Sequence, residues 1–275
     1  MLNVSRQDKS RTPFPHVNKD GIIPAELFNR LKADYPSGDN FEAEADSSNS
    51  VGSRVGAGTG FDIYRGDAAY DDLIATSDAW REFDAYINSP AFIETFLEVF
   101  EDDLDELGCQ IEVAQEMYDR SFLEPRETLT PKRSIKELVR DALPKRRSVE
   151  KKKVDLFTRL DIERSLGGYR KPPHCDRPNR LCSLIIYFTD IEAEGIEGGE
   201  LQIFAHKKNL DPRKCKRHPN HDDVVEVAVV KPKENRGVFF PCSNNSYHGV
   251  NPVLTKGKAR DFLYINISAN EDVCW

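Results

Sequence analysis

Gly167–Asp190 reads GGYRKPPHCDRPNRLCSLIIYFTD, and the fold and the chemistry both turn on its middle, where His174, Cys175 and Asp176 stand just before the apolar run Leu181–Thr189. Side chains two apart on an extended chain project to the same side. His174 and Asp176 can therefore present an imidazole and a carboxylate to one ion. A His-x-Asp step is common by chance and decides nothing alone. It gains weight from Tyr247-His248-Gly249-Val250-Asn251-Pro252-Val253 downstream and from Arg260, which opens another strand-like run.

Composition limits what such a site belongs to. The chain has 275 residues, 39% apolar and 31% charged, with a net charge of −8. That length can bury a real core, and the negative charge argues against a general nucleic-acid or anionic-membrane binder. No apolar run approaches the ~20 residues of a membrane span, and MLNVSRQDKSRTPF lacks the apolar stretch of a secretory signal. Six cysteines (109, 175, 182, 215, 242, 274) show no disulfide-scaffold rhythm. A reducing, cytoplasmic setting is the expectation, and a small-molecule substrate rather than a nucleic acid or a membrane.

Working outward, the residues after Val154 read as strands: Val154–Ile162, Leu181–Thr189, Glu200–Ala205, Val224–Val230, Gly237–Phe240, Tyr247–Leu254 and Arg260–Ser268. Short strands with turn signals and no long helices between them point to a sandwich or barrel. Before Val154 the pattern is helical. Pro24–Tyr35 carries Leu27, Phe28, Leu31 and Tyr35 at helical spacing, and Asp71–Leu107 carries Trp80, Phe83, Tyr86 and Ile87, with a second helix starting at Ser89-Pro90. Thr12–Val17 suits an extended entry segment, and Pro36–Gly60 reads as one long loop. Residues 111–124 fit strand or helix equally. Thr130–Lys153 holds ten Lys/Arg against three acids, a solvated basic face or a lid that attracts an anion. The expected class is α+β, with residues 1–153 as helices and loops covering a β-core at 154–275, integrated in one domain.

Two His and one carboxylate on one face, with other positions open, is the facial triad of non-haem Fe(II) oxygenases. His174 and Asp176 come from one strand end, and His248 must come from a strand adjacent in space. An Arg beyond the second His supplies the fork that a dicarboxylate needs. Strand phase groups Arg260, Phe262, Tyr264, Asn266 and Ser268 on one face of their run, and Asp261, Leu263, Ile265 and Ile267 on the other. Both faces are half apolar, so phase leaves open which is inward. On the Leu181 run, Ser183, Ile185 and Tyr187 share a face, and the Tyr187 phenol can reach the same carboxylate.

These pieces resemble the 2-oxoglutarate/Fe(II)-dependent oxygenase superfamily, on its prolyl-hydroxylase-like branch. The resemblance is carried by GGYRKPPHCDRPNRLCSLIIYFTD, GGELQIF, RGVFFPCSNNSYHGVNPV and KGKARDFLYINIS, in the family's order over most of 154–268. It implies a double-stranded β-helix (jelly-roll) with the N-terminal helices packed on its major sheet, and Fe(II), 2-oxoglutarate and O2 as cofactor and co-substrates. His174, Asp176 and His248 match the iron ligands. Arg260 matches the residue that clamps the C5 carboxylate of 2-oxoglutarate, with Lys258 an in-phase rival because the turn before it is two residues longer than usual. Tyr187 matches a helping tyrosine, and Arg180 and Ser183 fall where some relatives line the pocket. Halogenating relatives have a small residue in place of the carboxylate, so Asp176 favours hydroxylation.

The implied activity is hydroxylation of an aliphatic C–H in a small polar metabolite: an amino acid, a sugar or a natural-product intermediate. TPFPHVNKDGIIPAELFNRLKADYP and SPAFIETFLEVF resemble openings of members that modify small molecules. A peptidyl-prolyl hydroxylase stands as an alternative, and so do a non-enzymatic metal-binding β-barrel and a zinc hydrolase with the same ligands. Cys215, His218 and His221 have spacings that a zinc site can use, but read better as a polar loop. Cys175 points away from its neighbours' face. Gly52, Gly56, Gly58 and Gly60 make no phosphate loop, and Arg54 among them is a candidate substrate contact.

Overall fold

The alternation along Arg260–Ala269 separates two environments. The computed structural model describes residues 1–47, 54–55, 59–124, 150–208, 210–270 and 273–275. Most of the basic stretch Thr130–Lys153, the glycines at 52, 56 and 58 and the side chain of Arg54 lie outside the described residues. In chain order the strands are β1 (Lys9–Ser10), β2 (His16–Asp20), β3 (Arg54–Val55), β4 (Gly60–Tyr64), β5 (Leu156–Ser165) and β6 (Lys171–His174). Then come β7 (Arg180–Tyr187), β8 (Leu201–His206), β9 (Val224–Val230), β10 (Arg236–Pro241), β11 (His248–Val250) and β12 (Arg260–Ala269). The helices are α1 (Ala25–Ala33), α2 (Gly38–Ser47), α3 (Ala68–Thr76), α4 (Asp78–Ile87), α5 (Pro90–Phe100) and α6 (Leu104–Leu107).

The strands form two antiparallel sheets, ordered β1-β2-β10-β7-β12-β5-β4-β3 and β6-β11-β8-β9. Together with the N-terminal helices this is an α+β fold with a double-stranded β-helix core. The larger sheet includes β2 and β4 from the N-terminal region, paired with β10 and β5.

Residues directly opposed on antiparallel strands share a face, so the register sorts the larger sheet into rows. Leu263 opposes Ile186 and Ile162, and Ile265 opposes Leu184 and Leu160. These belong to one buried cluster with Leu31 of α1, Trp80 and Phe83 of α4 and Phe92 and Phe96 of α5. Aromatic rings knit the layers. Phe239 of β10 lies 5.2 Å from Phe100 and 6.0 Å from both Phe92 and Phe96, and Phe188 lies 4.8 Å from Phe28 and Tyr35. The face bearing Leu263 is therefore the helix side. The face bearing Arg260, Phe262 and Tyr264 turns inward, toward the smaller sheet, with a second apolar cluster that includes Ile185, Tyr187, Leu201 and Val250.

Several local readings change. Pro36–Gly60 is not one loop: it contains α2, a polar helix anchored by the buried Phe41. One apolar residue per helix leaves no periodicity to read. Asp71–Leu107 breaks at Ser77, which caps α4 by accepting from the Trp80 amide at 3.3 Å, and again at Ser89-Pro90. Residues 111–124 settle as neither alternative, holding one bridge from Ile111 to Lys152, another from Tyr118 to Leu156, and a 3-10 turn at Gln115–Met117. The strand expected over Tyr247–Leu254 is only β11, because Pro252 has no N–H and Val253 and Leu254 donate to Tyr169 and Glu197 instead. Among the described residues no helix is long and apolar enough to cross a membrane. Ser77→Ala removes the α4 cap and is expected to cost about 1 kcal/mol, read as a lower urea midpoint with an unchanged slope.

Candidate active site

Sheet pairing brings the first two ligands together. β6 ends at His174, β11 begins at His248, and the two are direct antiparallel partners. Their ring centroids lie 4.4 Å apart. Asp176 follows β6, with Oδ1 3.8 Å from His174 Nε2 and Oδ2 3.7 Å from His248 Nε2. One donor atom from each lies within 4.8 Å of the others. These separations are longer than hydrogen bonds and short enough for one ion to bridge.

Each group is held in its metal-binding form. His174 Nδ1 lies 2.8 Å from the Pro172 carbonyl, and His248 Nδ1 lies 3.0 Å from that of Ser246. A carbonyl only accepts, so Nδ1 carries the proton and Nε2 keeps its lone pair. Burial lowers both imidazole pKa values, that of His174 to about 3, with His248 adding to the shift there. Burial alone raises the Asp176 carboxyl, but His248, Arg180 and His174 outweigh it and hold it below the usual range. Ser183 Oγ donates to Asp176 Oδ2 at 2.8 Å, and Arg180 Nη1 lies 3.8 Å from Oδ1. Two neutral imidazoles and one carboxylate suit Fe(II). Ser183→Ala is expected to weaken Fe(II) binding about 10-fold with the fold retained, measured by anaerobic titration beside circular dichroism.

Inward from the triad, Asp176 and His248 open onto a narrow pocket that also holds Tyr169, Lys171, Tyr187 and Arg260. Ile185, Leu201, Val250 and Phe262 make its apolar wall. Arg260 is fully inside, 2% exposed, its guanidinium 4.5 Å from the Phe262 ring centroid. Arg260 Nε donates to Ser165 Oγ at 3.0 Å, and Nη1 to the Gly199 carbonyl at 2.9 Å. It forms no ion pair among the described residues. The Tyr187 ring centroid lies 5.8 Å from the Arg260 guanidinium, and burial pushes its phenol up to about 12. The turn bearing the Gly199 carbonyl requires glycine: Gly198 has φ +81°, and a Cβ there would lie 1.9 Å from the Pro252 oxygen. Lys258 is exposed and donates to the Glu194 carbonyl, away from the pocket.

The sequence-predicted residues thus divide into two groups. His174, Asp176 and His248 converge, with Ser183 and Arg180 arranged around Asp176; Arg260 and Tyr187 meet deeper in the pocket. Cys215, His218 and His221 form no metal-ligand group among the described residues, and Cys175 is buried with Phe204, Val224 and Tyr247.

Sequence reasoning missed Tyr169 and Lys171, which line the pocket; their place in the run leading to His174 was the available signal. It also missed Glu163 of β5, 6% exposed, whose Oε2 accepts no hydrogen bond. Burial, the largest cause, pushes the Glu163 carboxyl from its ordinary 4.5 up to about 7. A carboxyl with a raised folded-state pKa costs stability once ionised: nothing below pH 4.5, and up to about 3 kcal/mol above pH 7. Glu163→Gln is therefore expected to raise Tm at pH 8, with the gain shrinking toward pH 5.

No curated protein matches the chain. The model of the 2OG-Fe(II) oxygenase superfamily matches residues 161–267. Among solved structures the chain is similar to a prolyl-4-hydroxylase of Pseudomonas putida, at 15% identity, 93% coverage of each chain and a TM-score of 0.47. A Phytophthora capsici prolyl 4-hydroxylase matches at 16% identity, 93% of this chain, 59% of that one and a TM-score of 0.45. The epimerase SnoN from nogalamycin biosynthesis matches at 10% identity, 92% and 76% coverage and a TM-score of 0.44. Likenesses this distant carry nothing about substrate. The family match and the triad together imply Fe(II) and 2-oxoglutarate as metal and co-substrate. A match running from Asp161 on β5 to Ile267 on β12 takes in all three ligands and the inward strand of Arg260, and it is this segment, residues 161–267, that belongs to the 2OG-Fe(II) oxygenase superfamily.

Proposed function

We propose that the protein hydroxylates an aliphatic C–H bond of a small polar metabolite, with His174, Asp176 and His248 holding Fe(II) and Arg260 binding the C5 carboxylate of 2-oxoglutarate. The observation that carries this reading is the buried Arg260 guanidinium, without a carboxylate partner among the described residues, in the same pocket as Asp176 and His248. A buried cation of this kind favours a dicarboxylate that brings the missing charge, and the planar fork suits it. Bound Fe(II), with 2-oxoglutarate and O2, supplies the oxidising chemistry, releasing succinate and carbon dioxide.

The chain's own residues position and shield. Ser183 and Arg180 keep Asp176 ionised and oriented, while the Pro172 and Ser246 carbonyls fix the imidazole tautomers. Tyr187, packed against Arg260, donates its phenol proton to the same carboxylate in this reading. Ile185, Leu201, Val250 and Phe262 exclude water around the co-substrate chain.

Anaerobic titration of the apo-protein with Fe(II) and 2-oxoglutarate tests the reading. A weak visible charge-transfer band, saturating near one iron per chain, is expected, followed in air by succinate release. Iron binding without the band would remove the co-substrate assignment.

A further inference from the structure

The inward surface beside this pocket carries three carboxylates that the proposed reaction does not use. Glu163 opposes Phe262, Asp161 opposes Tyr264, and Asp62 of β4 opposes Glu163. Opposed residues share a face with Cβ atoms about 5 Å apart. All three acids therefore stand on the surface that carries Phe262 and Tyr264, two residues of the pocket wall. They are 6%, 3% and 5% exposed respectively.

Their charges are unevenly answered. Arg159 lies 2.6 Å from Asp161 and 3.6 Å from Asp62, and it also holds Glu124 at 3.0 Å. The second nearby cation is Lys171, on the pocket wall between the rings of Tyr169 and Tyr264, at 5.9 and 5.7 Å. It forms no ion pair among the described residues and feels the Glu163 and Asp176 carboxylates electrostatically. Glu163 feels Lys171 as its main opposing charge, but at a distance: its buried Oε2 has no hydrogen-bond partner and it forms no ion pair among the described residues. Leaving a buried carboxylate oxygen unpaired is costly, and the raised pKa of Glu163 reflects that cost. A ligand cation removes it.

We propose that Glu163, with Asp161 and Asp62 behind it, receives an ammonium group of the substrate, so that the enzyme acts on an aliphatic amine or a basic amino acid. This rests on the reading of the pocket as a dioxygenase site. The charged nitrogen sits at Glu163, the methylene chain runs past Tyr264, which Asp161 opposes, and the carbon to be oxidised lies on the triad side. A neutral isostere would leave Glu163 unpaired and be rejected, as sites built around a buried polar group reject analogues that lack its partner.

The test uses the full chain loaded with Fe(II) and 2-oxoglutarate and two matched probe pairs, L-lysine against 6-hydroxy-L-norleucine, which lacks only the side-chain charge, and putrescine against 1,4-butanediol. Anaerobic thermal shift reads binding, and succinate release in air reads coupling. At least one amine is expected to act at concentrations about 100-fold below its hydroxyl isostere. Glu163→Gln is expected to abolish that preference, and Glu163→Asp, which keeps the charge, to restore part of it. The proposal is overturned if amine and isostere act alike, if no amine acts in either readout, or if Glu163→Gln keeps the preference. The two readings fail differently. Loss of the wild-type charge-transfer band sinks the dioxygenase site itself, whereas a normal band without amine preference sinks only the substrate class.

Discussion

Replacing His248 with alanine is expected to lower Fe(II) affinity by more than about 100-fold and to abolish 2-oxoglutarate turnover. Groups that merely orient a metal ligand typically contribute 10- to 100-fold, so loss of a ligand must exceed that range. Only His174 and Asp176 would remain, two donors on one short segment, and two donors hold a divalent ion poorly against water. The apo-fold should survive, because the β6–β11 pairing uses backbone groups and the helix-side cluster does not include His248. Anaerobic titration, with Tm of the apo-protein as control, reads both. Affinity within tenfold of wild type would remove His248 from the metal site.

Arg260→Ala carries the second large effect: a rise of about 10²- to 10³-fold in KM for 2-oxoglutarate, equivalent to the ~2–5 kcal/mol lost when one partner of a buried charge pair is truncated. Fe(II) binding without co-substrate should stay near wild type, since Arg260 touches Ser165 and Gly199 rather than the triad. Arg260→Lys should recover little, because an ammonium does not reproduce the planar fork. Lys258→Ala should be silent, given its exposed position at the Glu194 carbonyl. Steady-state kinetics with varied 2-oxoglutarate decide the matter, and a KM within threefold of wild type would refute the clamp.

The ligand set was legible because its signal is local: His174 and Asp176 sit two apart, and His248 lies in its own recognisable turn. Strand existence was legible for the same reason. What could not be read was long-range. Both faces of β12 are half apolar in sequence, and the inward one is identified only once α1, α4 and α5 cover Leu263 and Ile265. Arg180 and Ser183 could be placed near the site but not assigned to Asp176 rather than Arg260, because that depends on which strand end faces which ligand. Glu163 was invisible. A charged residue in a strand reads as solvent-facing, and its burial follows from the register with Phe262. The polar helix α2 escaped because Phe41 is the one large apolar residue in its sequence, which makes no pattern.

Even- and odd-numbered positions on β12 can also evolve separately. Changes at Phe262 or Tyr264 reshape the cavity, while Leu263 and Ile265 answer to the helices behind the sheet. Libraries confined to residues 185, 262 and 264 should therefore yield many folded variants altered in what the pocket binds, 2-oxoglutarate included, whereas equally sized libraries one residue along the strand should mostly yield insoluble protein. A lineage could thus exchange its chemistry's target at nearly constant stability.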